Sequence, residues 1–220
     1  MKIGILGTGT VGQTIGTALI NKGHEVLLGS RTATNEKAIA WTGQNGSKAK
    51  NGTFEDAAGF GELIFLCLNG NGAVDALQQA GNHNFSRKVV IDVTNPLDFS
   101  NGIPPSLLPE YSNTWSLGEE IQKHLEDAKV VKALNTVTAK LMVDATLVND
   151  ANHNLFICGN DGEAKNTVKQ LLADNFNWKI ENILDLGDIK YARMAEGIVP
   201  FWVSIMQQQG TAMFNYLVVR

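Results

Sequence analysis

The hexapeptide Gly7-Thr8-Gly9-Thr10-Val11-Gly12 has the spacing G-x-G-x-x-G and follows at once on the apolar run Lys2–Leu6. Glycine abundance makes such a match weak in isolation, but here it lies between a strand-like run and an amphipathic segment, where it has a mechanism. Gly7 permits a tight turn, Gly9 lets the backbone approach a pyrophosphate, and Gly12 lets helix and strand pack closely. The helix that opens there supplies free N–H groups and the positive end of its dipole to an anion. Thr8, Thr10 and Val11 complete the turn.

A second group sets the kind of dinucleotide. A site that prefers NAD ends its second strand in Asp or Glu, about 20 residues past the glycines, to accept from the ribose 2′-hydroxyl. Here that strand ends Leu28-Gly29-Ser30-Arg31-Thr32, with no carboxylate. Arg31 can hold a 2′-phosphate through charge-assisted bonds, and Ser30 and Thr32 can donate hydroxyls. The expected cofactor is therefore NADP(H). A third group, Thr94, Asn95 and Pro96, follows the fifth strand, and Leu68, Asn69 and Gly70 follow the fourth. Loops at the C-terminal ends of strands line the ligand crevice of open α/β sheets, which places both groups beside the cofactor. Asn135 and Thr136, after a sixth strand, face the same crevice.

Other reactive side chains add little. His24 reads as structural, while His83, His124 and His153 read as solvated. Neither a Ser/His/Asp arrangement nor a conspicuous acid/base pair is evident, so no catalytic residue is assigned. Cys67 and Cys158 sit in apolar runs and read as buried free thiols in strands; no CxxC pair or metal-ligand spacing occurs, and no metal site is expected.

The elements that must position these groups run β-α-β-α-(β)-α-β-α-β over the first ninety-odd residues. Strands are expected at Lys2–Leu6, Val26–Gly29, Glu62–Leu68, Lys88–Val93 and Lys129–Leu134. Helices are expected over Thr10–Lys22, Asn35–Trp41, a segment opened by the Thr53-x-x-Asp56 start signal, a segment ending near Ala80, and Ser116–Leu125. This is the pattern of a Rossmann-type, doubly wound and mainly parallel sheet. Pro96–Pro109 reads as a long loop. A small C-terminal α/β extension follows: strand-like Asn154–Cys158, helix Glu163–Asp174, strand-like Trp178–Leu184 and a terminal helix within Ile189–Met206. That last segment is apolar nearly all round, with Pro200 inside it, and must be buried against this domain or another subunit. The domain reading is 1–150 for the NADP-binding part and 151–220 for the extension, which contributes to a dimer contact and the acceptor site.

The chain has 220 residues, 44% hydrophobic and 18% charged, with 22 glycines, as expected of a globular α/β protein. A formal net charge of −4 without a basic run argues against a nucleic-acid partner, which needs clustered cations. Apolar runs fall far short of the roughly 18 residues of a membrane span, and no leader-like segment opens the chain. A cytoplasmic location is the expectation.

These residues resemble the F420-dependent NADP oxidoreductases, the NADPH-dependent reductases of the deazaflavin coenzyme F420. The resemblance rests on the GTGTVG turn, on LLGSR ending the second strand and on KALNT after the sixth. It continues through LFICGNDGEAK to LGDIKYARMAEGIVP, and so spans almost the whole chain. It implies NADP(H) along the glycine turn with Ser30 and Arg31 at the 2′-phosphate, direct hydride transfer to a deazaflavin or flavin-like ring, and a homodimer. Such transfer needs positioning more than a strong acid or base. The chain departs from the family at Asn135, where members often carry His, and in the Leu68–Gly72 loop, where a proline is usual. Two competing readings remain open: a non-catalytic NADP(H) sensor or scaffold, and a small imine or keto reductase, which would need a proton donor in the crevice.

Overall fold

The computed structural model describes residues 1–219. Short β-branched and leucine-rich runs form an eight-stranded sheet. The strands are β1 (Lys2–Leu6), β2 (Glu25–Ser30), β3 (Ala49–Thr53), β4 (Leu63–Leu66), β5 (Val89–Asp92), β8 (Lys129–Lys132), β9 (Leu155–Gly159) and β10 (Ile183–Asp185). Their spatial order is β10-β9-β8-β5-β4-β1-β2-β3. Every pairing is parallel except β8 with β9. The last two strands thus extend the same sheet past the turn-about at β8.

Alternation along the strands explains why both faces need cover. Ile3, Ile5, Leu63, Phe65, Ile91 and Val131 point to one face, where α1 (Thr10–Asn21), α2 (Glu36–Asn45), α6 (Ala139–Val143) and α7 (Gly162–Phe176) close the core. Leu6, Ile64, Leu66, Val90 and Val130 point to the other, under α3 (Phe54–Phe60), α4 (Ala73–Ala80) and α5 (Leu117–His124). The architecture is the doubly wound, mainly parallel sheet that the sequence predicts.

Local signals place several elements. Thr53 accepts from the Asp56 amide at 3.1 Å, and Asp56 accepts from the Thr53 amide at 2.8 Å, so the predicted start signal is a full capping box for α3. Those Thr53 bonds also hold the Asp56 carboxyl below its ordinary range.

The bracketed third strand of the expected order is present as β3, a polar edge strand (AKNGT) whose bounds no apolar alternation reveals. Several other expectations are corrected. The Pro96–Pro109 loop carries a two-stranded antiparallel ribbon, β6 (Leu97–Asp98) with β7 (Ser106–Leu107). Of the Trp178–Leu184 segment only Ile183 and Leu184 are strand, as the start of β10; Ile180–Asn182 form a 3-10 turn, and Trp178 is a core residue whose Nε1–H donates to the Met142 carbonyl. The Ile189–Met206 segment is not one buried helix. It divides into α8 (Ala192–Gly197) and α9 (Val199–Gln209), with Pro200 in the first turn of α9, where a missing N–H costs little. Val199 and Val203 are buried, but Met194 and Phe201 are about 60% and 59% exposed in the single chain. His153, expected in solvent, is buried: one ring nitrogen lies 3.0 Å from the Ala145 carbonyl and the other 2.8 Å from the Asn215 amide. Cys158 lies buried in β9 as expected, whereas Cys67 lies one residue beyond β4 and is half-buried. Among the described residues, no helix is long and apolar enough to cross a membrane.

Candidate functional site

The sheet order reverses between β1 and β4: β2 and β3 lie to one side of β1, and β4, β5 and β8 to the other. Two chain segments therefore diverge at the C-terminal ends of β1 and β4 and leave a crevice, the usual ligand position in open α/β sheets. A cleft of about 610 Å³ opens there.

Its floor is the glycine turn, and the three glycines differ physically. Gly7 has φ +124°, and a Cβ on it would stand 2.2 Å from the Cys67 carbonyl oxygen. A Cβ on Gly12 would stand 2.2 Å from the Gly7 carbonyl oxygen, so this glycine lets α1 seat on the turn. Gly9 is different: it has ordinary extended backbone and nothing within 4 Å of its Cβ position. It faces open space at the start of α1, whose first turn has neither a side-chain cap nor an acidic residue. Unpaired N–H groups beside an uncrowded glycine make a cradle for an anion.

At the β2 end of the cleft stand Ser30, Arg31 and Thr32, with Asn35 beyond them. Ser30 is buried and donates its hydroxyl to the Thr32 carbonyl at 2.6 Å. Arg31 is exposed, and among the described residues no carboxylate lies within 4 Å of its guanidinium. Asn35 accepts from the Ala38 amide and so caps α2. An unpaired guanidinium beside two hydroxyls fits an added phosphate group.

Gly7, Thr8, Gly9, Ser30, Arg31, Thr32, Leu68 and Asn69 all line the cleft. Thr10 opens instead onto a neighbouring hollow with Gln13, Thr14 and Lys37, Val11 packs on the core, and Gly12 is buried. Gly70 lies behind the cleft wall: a Cβ there would meet the Asn95 carbonyl oxygen at 2.4 Å and Pro96 at 2.7 Å. Thr94, Asn95, Pro96 and Asn135 therefore form a second cluster at the adjoining ends of β5 and β8, touching the Gly70 turn. Thr94 is 1% exposed and gives its hydroxyl to Asp92. Asn95 and Asn135 bond reciprocally, Asn95 Nδ2 to the Asn135 carbonyl and Asn135 Nδ2 to Asn95 Oδ1.

Sequence reasoning missed Asn35, Phe54, Cys67, Asp75 and Gln79 of the lining, which carry no motif. Burial, reinforced by the Asp92 carboxylate, pushes the Cys67 thiol above its ordinary range, and burial pushes Cys158 up to about 12. Both stay protonated near neutral pH, so neither is poised as a nucleophile.

A buried ionic cluster, also missed, lies beneath the second group of loops. The Lys132 ammonium is 2.9 Å from Asp92 and 2.8 Å from Glu196, with all three side chains wholly buried. Burial draws the Lys132 pKa down, but the two carboxylates outweigh it and leave it raised. Burial raises the Glu196 carboxyl against the opposing pull of Lys132. A lysine inside the apolar run KVVKAL was the available signal. No spacing rule, however, links positions 92, 132 and 196. Among the described residues, no cluster of His, Cys, Asp or Glu fits a metal ion.

Known proteins resemble this chain in sequence and fold. A family profile described as "NADP oxidoreductase coenzyme F420-dependent" matches residues 2–96. The F420-dependent NADP reductase of Methanocaldococcus jannaschii is 30% identical over 215 residues, 93% of this chain and 92% of the relative. The crystal structure of a candidate F420-dependent NADP reductase from Arthrobacter sp. FB24 superposes with a TM-score of 0.92 at 41% identity, covering all of both chains. A reductive aminase from Aspergillus terreus, solved with NADPH, shares the fold alone: its TM-score is 0.62 at 20% identity, covering 95% of this chain and 61% of that one. The cleft, the glycine turn and the full-length likeness converge, and the chain belongs to the F420-dependent NADP reductase family.

Proposed function

We propose that this NADP-dependent oxidoreductase passes hydride between NADP(H) and a deazaflavin or flavin-like ring. The observation that carries the reading is the unpaired Arg31, set with Ser30 and Thr32 at the cleft end of β2 where an NAD site would hold a carboxylate. NADP(H), when bound, supplies the hydride carrier. The chain's own residues hold and orient it. The open Gly9 and the uncapped start of α1 receive the pyrophosphate, and Arg31 receives the 2′-phosphate. The Ser30 hydroxyl turns from the Thr32 carbonyl to the same phosphate. Along the strand order β2-β1-β4-β5-β8, the Leu68-Asn69 turn and then the Asn95–Asn135 pair lie successively farther from Arg31, and in this reading they would line the nicotinamide end.

The ring acceptor is favoured over an imine or ketone by the chemistry of the cleft. Its ionisable lining is Arg31, Cys67 and the exposed Asp75, and the thiol is held protonated. Transfer between two rings depends on alignment and needs no dedicated proton donor. The homodimer implied by the family resemblance is part of this reading, with the exposed Met194 and Phe201 around α9 as the face a second copy would cover.

Stopped-flow loss of NADPH absorbance separates the alternatives. Rapid oxidation is expected with a deazaflavin, with FMN slower. Tight NADPH binding without turnover on deazaflavin, FMN or a ferric chelate would instead make the chain a sensor or scaffold.

A further inference from the structure

Two carboxyl groups and one ammonium share a dry interior, and such clusters contribute little stability that a well-packed apolar set could not match. What this one does contribute is connection. Lys132, the last residue of β8, donates to Asp92 Oδ2, to Glu196 Oε1 and to the Thr94 carbonyl, so all three of its protons are spent. Asp92 Oδ1 takes the Thr94 amide at 2.9 Å and its hydroxyl at 2.7 Å, which fixes the loop leading into Asn95. Glu196, on α8, also accepts the amides of Leu117 and Gly118 at the start of α5, at 3.0 and 2.9 Å. Its neighbour Ala195 accepts from Asn135 Nδ2 at 2.9 Å. Arg193, one turn earlier on α8, forks onto Glu119 of α5.

One buried ammonium therefore joins the β5 loop, the end of β8, α5 and α8. Beside the Asn95–Asn135 pair, two buried polar atoms, Asn135 Oδ1 and Thr136 Oγ1, have no partner among the described residues, in residues that are 4% and 2% exposed. A buried acceptor is costly to leave empty, and a ligand N–H, such as that of a carboxamide, would satisfy it.

We propose that Lys132, clasped by Asp92 and Glu196, is the positioning residue for the nicotinamide end of the site, tying the Asn95 and Asn135 loops to α8 so that Asn135 Oδ1 meets a carboxamide donor. The proposal rests on the NADP(H) reading above. It separates two halves of the cofactor: the adenosine half is held at Arg31, and only the other half depends on the clasp.

The test is a calorimetric titration of the full chain and its Glu196→Gln variant with NADPH and with adenosine 2′,5′-bisphosphate, alongside thermal melts. In the variant, NADPH should bind about tenfold more weakly, the size of one net hydrogen bond, while bisphosphate affinity stays at the wild-type value. Its melting temperature should fall, because the new amide nitrogen must face either a backbone N–H of α5 or the Lys132 ammonium in a dry interior, and the split between the two ligands in the folded variant is the readout. If Glu196→Gln does not fold, the charge-free combination of Asp92→Asn, Lys132→Met and Glu196→Gln leaves no lone buried charge and should show the same split. Equal weakening of both ligands, or of neither, in a folded variant overturns the proposal and leaves the NADP(H) reading intact. A wild-type chain that binds neither ligand overturns both.

Discussion

Replacing Arg31 with Ala weakens NADPH binding by about 1.5–3 kcal/mol, the net value of hydrogen bonds to a charged group, which is roughly a 10- to 150-fold rise in Kd. NADH binding stays close to its original value, because the lost guanidinium addresses only the extra phosphate. The asymmetry follows from geometry. Arg31 is exposed at the cleft, without a carboxylate partner among the described residues, so its removal leaves no buried charge orphaned and disturbs no packing. The melting temperature of the free chain should therefore be unchanged. Titrations of wild type and variant with both nucleotides check the point, and equal weakening of NADPH and NADH would remove Arg31 from the site. Lysine is not an equivalent replacement, since it lacks the planar fork that meets a phosphate with two parallel bonds.

The glycine turn gives the second large effect, and it divides by position. In Gly7→Ala, the new methyl must occupy φ +124° and stand 2.2 Å from the Cys67 carbonyl oxygen. Strain in that backbone region costs about 1–3 kcal/mol, and overpacking adds about 1–3 kcal/mol. For a chain of this size each kcal/mol lowers Tm by roughly 2–4 °C, so a loss of about 5–20 °C, or an insoluble product, is expected. Gly9→Ala behaves oppositely: the backbone is extended and its Cβ position is empty to 4 Å, so folding is preserved. The methyl then stands where a pyrophosphate must approach, and NADPH and NADH weaken together. Thermal melts paired with titrations of the two variants read this out. A Gly9→Ala protein that binds both nucleotides normally would move the pyrophosphate away from the turn.

Much of this was legible in the sequence, for identifiable reasons. The β1–α1–β2 unit announces itself because glycine spacing, an apolar run and a helical period coincide within the first thirty residues. The β2 end could be read from a missing carboxylate, and α3 from a capping box, because both are local signals. What stayed hidden was non-local or polar. The bracketed third strand could be expected but not bounded, because β3 carries glycine, asparagine and lysine at the sheet edge, where a strand is held by its backbone pairing with β2 more than by side chains. The strand order that brings Arg31, Gly9 and Asn95 to one edge of the sheet is set by packing on two faces. His153 looked solvated among asparagines, yet a distant one helps hold it inside: Asn215 donates both to the ring and to the Asn154 carbonyl. The Asp92–Lys132–Glu196 cluster joins residues up to about a hundred positions apart, and only the out-of-place lysine in KVVKAL hinted at it.

The 2′-phosphate assignment at Arg31 is the claim on which the functional reading stands, and parallel calorimetric titrations of the unmodified chain with NADP+ and NAD+ test it most directly. The account predicts that NADP+ binds at least about tenfold more tightly, a difference of about 1.4 kcal/mol or more, and that adding salt narrows the gap. Equal affinities for the two dinucleotides, or tighter binding of NAD+, would contradict it.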